Sequence, residues 1–193
     1  MERVQLLKPR RFGDARGWFS ETYNRRAFKT LGIEAEFVQD NHSMSVPVGT
    51  LRGFHLQGPP HPQGKLVRCV AGRIMDYVLD VRRGSPTYGR SLAAELTAEN
   101  GYQLWIPVGF AHAFVTLEPN TQVMYKVTDY YAPECETGVR WDSLGINWPL
   151  PPDGPILSDK DRVVPTLRAF ASPLPYDGEP LADNWTDCPE ALS

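Results

Sequence analysis

Apolar positions along this chain fall in short runs, often at every second residue, with turn residues between the runs. "KLVRCVAGRIMDYVLDVRRGSPTYG" holds two such runs, joined at Ala71-Gly72 and stopped by Gly-Ser-Pro. "YQLWIPVGFAHAFVTLEPNTQVMYKVTDYY" holds three more, with Pro107-Val-Gly109 and Glu118-Pro-Asn as turns. From Ala35 to about Trp148 the chain therefore reads as strands cut by turns. Strands at this spacing predict an all-β sandwich or barrel with a few short helices. Helical spacing is clear only in "SETYNRRAFKTLG", where Tyr23, Ala27, Phe28 and Leu31 share a face. Ser20 is the expected cap, Glu21 falls in the first turn and Gly32 ends the helix. After Trp148, "PLPPDGPILSDKDRVVP" is turn-rich with room for one short helix. The pattern places a single domain over residues 1–170. Residues 171–193 form a polar, proline-rich tail, either loosely ordered or docked on the body.

Composition changes this picture little. A chain of 193 residues suits one domain that buries roughly 70% of its unfolded surface. A net charge of −3 is mild, so nothing argues for a nucleic-acid or membrane surface, and neither partner is expected. The three cysteines, Cys69, Cys135 and Cys188, are far apart and form no CxxC pair, so neither a disulfide framework nor a zinc knuckle is indicated. The N-terminal stretch lacks the long apolar run of a signal peptide, and no segment approaches the roughly 18 apolar residues of a membrane span. The expectation is a soluble cytoplasmic domain.

Candidate chemistry starts at "LRGFHLQGPPHPQGK", Leu51 to Lys65. Strand parity puts Leu51, His55 and Gln57 on one face and Arg52 on the other. Arg52 can then share a pocket with His55 only through a bulge at Gly53, or by reaching the site of a second subunit. On "TQVMYKVT", Val123, Tyr125 and Val127 share a face that is apolar apart from the phenol, so Tyr125 is expected to point into the barrel. Taken alone, His55 reads more readily as a structural histidine at a strand edge, and Lys65 as a solvated charge. Asp76 shares a face with Ile74 and Val78, where it can support a neighbouring functional group.

Gly49 lies six residues before His55, and Gly101, Pro107, Gly109 and His112 form a second glycine–proline–histidine motif. These spacings resemble the two motifs of the cupin superfamily, a double-stranded β-helix or jelly-roll barrel. In metal-binding cupins the first motif continues as His-x-His and then a glutamate. Here Gln57 stands two after His55, and no acidic residue occurs between Gln57 and Asp76. A transition-metal site needs several converging imidazole or carboxylate ligands, so no metal is expected.

"FGDARGWFSETYN", "FVQDNHSMS", "GTLRGFHLQGPPHPQGKLVRCVAG", "ENGYQLWIPVGFAHAF", "MYKVTDYYAPECETGVRWD" and "LSDKDR" resemble, in order, the blocks of the dTDP-4-dehydrorhamnose 3,5-epimerase family. The likeness covers about Leu6 to Leu167. It implies a jelly-roll homodimer that acts on a dTDP-linked 4-keto-6-deoxyhexose without metal or organic cofactor. The implied chemistry is removal and return of protons at C3 and C5, both α to the C4 ketone. By the resemblance His55 is the base, a residue type whose ordinary pKa of about 6.5 suits the task. Asp161, rather than its neighbour Asp159, orients that imidazole; Lys65 steadies the enolate; Tyr125 is the acid on the far side. Arg16, Glu21, Gln39, Asn41, Arg52, His112, Glu136 and Lys160 match positions that bind the nucleotide diphosphate or the sugar. Phe19 is the implied stacking partner for the thymine. The departures are modest: Phe54 and Leu56 stand where relatives often have Leu and Tyr, and they are expected to flank the base. The alternative is a single-site epimerase, inverting only C3 or only C5 of a related sugar. A metal-dependent oxygenase and a non-catalytic sugar-binding cupin also stay open.

Overall fold

A computed structural model describes residues 3–179 and Leu181. The later part of the expected tail, with Cys188, lies outside the described residues. The chain forms β1 (Gln5–Leu7), β2 (Phe12–Asp14), β3 (Gly17–Phe19), α1 (Arg25–Thr30), β4 (Gln39–Ser45), β5 (Leu51–Gln57) and β6 (Lys65–Ala71). It continues with β7 (Arg73–Asp80), β8 (Ser91–Thr97), β9 (Gln103–Ile106), β10 (Phe110–Thr116), β11 (Thr121–Val127), β12 (Glu136–Gly138) and α2 (Asp159–Val163). Two five-stranded sheets form, in the orders β1-β9-β6-β11-β4 and β12-β5-β10-β7-β8, with β2 and β3 as a separate hairpin. Every strand pair is antiparallel. From β4 to β12 the chain alternates between the sheets, apart from the β7–β8 hairpin, so the strands wind as a jelly roll. The apolar runs bounded by turns predicted this all-β architecture.

Three apolar clusters hold the layers together, because both sheets are covered on more than one face. Between the sheets lie Val67, Cys69, Leu104, Ile106 and Val123 from one and Ile74, Val78, Leu96, Phe110 and Phe114 from the other. The outer face of the second sheet packs Leu51, Phe54, Leu56, Tyr77, Leu79 and Val115 against Trp148, Phe170 and Leu174 of the C-terminal segment. The outer face of the first sheet packs Leu66 and Trp105 against Phe28 and Ile33 around α1. Double coverage explains why every residue of β10 is buried and why "FAHAFVT" shows no polar alternation. The described part of the tail is docked. Arg82, 1% exposed, pairs with Asp80 and with Asp177, both at 2.8 Å. Its guanidinium also lies over the rings of Phe110 and Tyr176.

Two expectations need correction. The helix begins at Arg25, and its cap is Asn24, whose side chain accepts from the amides of Arg26 and Ala27. Ser20 and Glu21 precede it in irregular chain, because a nearer residue offers the same cap chemistry and Tyr23 packs against Phe28 and Phe37 instead. The second correction concerns β5, where strict alternation fails through the bulge at Gly53, one of the two routes the sequence left open to Arg52. His55 pairs with His112 and Arg52 pairs with Phe114, so Gly53 and Phe54 together oppose Ala113 alone. The bulge turns Leu51 and Phe54 to the outer cluster and brings Arg52 onto the inner face with His55. Phe54 and Leu56 therefore belong to the outer core, although Leu56 also touches the cavity wall.

Gly53 makes the bulge possible. Its φ is +116°, and a Cβ there would sit 2.4 Å from the His112 carbonyl oxygen. Gly53→Ala should lower the urea midpoint by the equivalent of about 2 kcal/mol or more, through strain and backbone contact together. An unchanged midpoint would mean that the bulge relaxes at no cost.

Candidate active site

The inner faces are apolar over part of the barrel and polar at one end. There β4 presents Gln39, Asn41 and Ser43, β5 presents Arg52 and His55, and β6, β10 and β11 present Lys65, His112 and Tyr125. Two adjoining cavities, of about 290 and about 250 Å³, share His55, Lys65 and Tyr125. Together they reach the usual size of a small-molecule site, ~300–1,000 Å³. His55 and Tyr125 come from different sheets, so they approach the cavity from opposite walls.

The acid–base geometry is built around Asp161 in α2. Its Oδ1 lies 2.6 Å from His55 Nε2 and 3.3 Å from the Gly53 amide, and its Oδ2 accepts the Ser158 hydroxyl at 2.6 Å. Burial opposes charge on this carboxyl, but the hydrogen bonds from His55 and Ser158 outweigh it and hold the pKa below the usual carboxylate value. Asp161 is therefore an anion at neutral pH. Asp159, exposed in the same helix, is not part of this cluster. Lys65 donates to the His55 carbonyl at 3.2 Å. Burial lowers its pKa to about 8, partly offset by Glu136. Burial also raises the Tyr125 pKa, keeping the phenol neutral. Glu136 accepts from Lys160 and from the Tyr131 hydroxyl, and these contacts outweigh its own burial and lower its pKa.

Arg52 reaches the cavity and donates to Ser45 Oγ. Gln39 donates to Asn41 and accepts from the Tyr131 amide. His112 lies 2.8 Å from Asp76, which is fully buried. The structure thus gathers His55, Lys65, Tyr125, Asp161, Gln39, Asn41, Arg52, His112, Glu136 and Lys160 around one space. It does not bring Arg16, Phe19 or Glu21 there. Arg16 pairs with Asp14 on the β2–β3 hairpin, Phe19 is 69% exposed on the same hairpin, and Glu21 is exposed just after it. No group of three or more His, Cys, Asp or Glu among the described residues has metal-holding geometry.

Two residues escaped the sequence reading. Tyr131, 54% exposed, stands at the cavity rim, and nothing in "DYYAPEC" separates it from Tyr130 beside it. Ser158 caps α2 and holds Asp161. The capping pattern Ser-x-x-Asp in "SDKD" was legible and pointed to it.

A family model described as dTDP-4-dehydrorhamnose 3,5-epimerase matches residues 1–169. A dTDP-4-dehydrorhamnose 3,5-epimerase from Sinorhizobium fredii is 49% identical over 166 residues, covering 85% of this chain and 85% of that protein. The crystal structure of such an epimerase from Bacillus anthracis, with TDP and PPi bound, has a TM-score of 0.82 at 48% identity, covering 84% of this chain and 93% of that one. An epimerase from Legionella pneumophila, in complex with dTDP-4-keto-L-rhamnose, has a TM-score of 0.83 at 41% identity, covering 89% and 92%.

Because the Asp161 pKa is depressed in the folded state, its ionisation stabilises the fold above the ordinary carboxylate pKa, and this contribution is lost as pH falls through the folded value. Ser158→Ala removes one hydrogen bond to that charge. It should cost about 1.5–3 kcal/mol at neutral pH and distinctly less at a second pH below the depressed folded pKa of Asp161, where the carboxyl is protonated in both proteins. Urea unfolding at both pH values checks this. An equal loss at both would assign the hydroxyl to helix capping alone.

Proposed function

Since the chain belongs to the dTDP-4-dehydrorhamnose 3,5-epimerase family, we propose that its cavity inverts C3 and C5 of dTDP-4-dehydro-6-deoxy-D-glucose, giving dTDP-4-dehydro-L-rhamnose. The observation that carries the mechanism is the His55–Asp161 pair facing Tyr125 across the cavity, with Lys65 between the walls. The hydrogens on C3 and C5 are acidic because the C4 ketone accepts the electrons that each departing proton leaves behind. His55 takes the proton, and ionised Asp161 stabilises the resulting imidazolium. Lys65, with its pKa near 8, stays largely cationic at neutral pH and meets the oxyanion that forms on C4. Tyr125, kept neutral by burial, returns a proton from the opposite face, which inverts the carbon. No step needs an electron acceptor or a metal.

Arg52 and Lys160 supply positive charge for the diphosphate, and a guanidinium fork suits phosphate oxygens. Glu136, Gln39, Asn41 and His112 offer hydrogen bonds to the sugar and nucleotide. The exposed ring of Tyr131 at the rim supports stacking of the thymine there. We assign Arg16, Phe19 and Glu21 to the cavity of a second copy, so the active form is a homodimer with composite sites. The projecting hairpin, with Phe12, Trp18 and Phe19 all exposed, supports this reading. Residues 1–170 are taken as the catalytic domain. Among the described residues no helix is long and apolar enough to cross a membrane. We place the protein in the cytoplasm, in keeping with free thiols at Cys69 and Cys135.

Turnover in deuterated water should place deuterium at both C3 and C5 by NMR, in a product inverted at each. His55→Ala should lose exchange at both carbons. Tyr125→Phe should lower inversion more than exchange, by about 10²–10⁴-fold if the phenol is the general acid. Label at one carbon would move the assignment to the single-site epimerase, and no label in bound substrate would remove His55 as the base.

The composite site has its own test. Arg16→Ala and His55→Ala proteins, each inactive alone, should regain roughly a quarter of wild-type activity when mixed and allowed to exchange subunits, since half the dimers then hold one intact site. No recovery in dimers shown to exchange would place Arg16 outside the partner's cavity.

A further inference from the structure

Two His–Asp pairs line the same cavity, and their histidines are direct register partners on β5 and β10. In each pair the carboxyl engages Nε2 of the ring, at 2.6 Å for Asp161 on His55 and 2.8 Å for Asp76 on His112. Nδ1 is therefore the nitrogen left over in both. The pairs are alike in composition and opposite in surroundings. Asp161 has partners on both oxygens, contributed by His55, Ser158 and the Gly53 amide. Asp76 is fully buried on the inner face of β7, and its Oδ2 is buried without a hydrogen-bond partner among the described residues.

An anionic carboxylate spreads its charge over both oxygens, and each needs a donor when water is absent. A neutral carboxyl makes a smaller demand. Its O–H needs one acceptor, and the carbonyl oxygen left over is only weakly polar by comparison. An Oδ2 buried without a donor thus suits the neutral form at Asp76 and not the anion. Burial drives this carboxyl's pKa upward, against the pull of His112 on β10, Lys65 on β6 and the Tyr77 amide.

We infer that Asp76 is a neutral positioning residue whose O–H donates to Nε2 of His112, so that His112 offers Nδ1–H to the substrate while His55, donating Nε2–H to ionised Asp161, offers a Nδ1 lone pair. One composition then yields a base and a donor on neighbouring strands, because the environments of the two carboxyls set opposite tautomers. The donor's target is the anionic C4 oxygen, which His112 would hold together with Lys65. This purpose rests on the epimerase reading above, whereas the tautomers do not.

The chain has four histidines, so nitrogen-15 spectra of the histidine-labelled full chain can resolve each ring. His55→Asn and His112→Asn variants assign the two that matter. Near neutral pH, His112 should carry its proton on Nδ1 alone and His55 on Nε2 alone. A proton on Nε2 of His112, on both its nitrogens, or one shared tautomer in the two rings would overturn the inference. The spectrum needs no turnover, so its outcome stands apart from that of the deuterium experiment. In the active enzyme, Asp76→Leu keeps the branched shape in a somewhat larger side chain and frees the imidazole tautomer. With the fold verified, kcat should fall by about 10²–10³, the usual loss of one oxyanion donor, with KM changed much less. An unchanged kcat in that variant would overturn the donor role.

Discussion

A charge taken out of water must find partners or be given up, and the polar end of this barrel is organised by that constraint. The two sheets close over an interior too narrow to hydrate every group they bury. Three ionised groups are accordingly tied to several neighbours each. Asp161 is tied to His55, Ser158 and the Gly53 amide; Glu136 is tied to Lys160 and Tyr131; Arg82 is tied to Asp80 and Asp177. The same ties join the layers. Asp161 fastens α2 to β5, Glu136 fastens β12 to α2 and the rim, and Arg82 fastens the C-terminal segment to the barrel. Satisfying the charges and closing the fold are one problem.

Preorganisation follows from the same ties. Asp161 has no spare oxygen with which to reorient, so the imidazole it holds keeps one nitrogen aimed away from it. Lys65 sits where burial has weakened its hold on the proton without removing it. Tyr125 remains a phenol because the surroundings that bury it oppose a phenolate. These are the protonation states that removal of a proton on one face and delivery on the other require. They arise from packing and need no bound substrate.

Much of this was legible in the residue pattern. Strand spacing predicted the β architecture, and parity alone put Tyr125 on the inner face. Turn residues at Ala71-Gly72 and Pro107-Val-Gly109 marked strand ends that the structure keeps. Parity failed on β5, where one inserted residue reverses the assignment of Leu51 and Arg52. A bulge is not a pattern of residue types. Glycine permits it, and the register with β10 decides it. The helix cap was misplaced for a related reason: Ser20 and Asn24 are equally good caps in isolation, and the packing of Tyr23 outside the helix selects the second.

What the sequence by itself determined is therefore local: which segments are strands, which faces are apolar, and which residue types are at hand for proton chemistry. Resemblance added the family and a pairing of roles with positions. Tertiary structure alone decided which of those groups meet, since Asp161 and His55 are separated by 106 residues and touch only because α2 packs over the bulge. It also decided that Arg16, Phe19 and Glu21 stand away from the cavity of their own chain, and that one oxygen of Asp76 is left without a donor where both oxygens of Asp161 have one. Sequence encodes each group's chemistry, but burial and partner count set its charge, and those exist only once the sheets have closed.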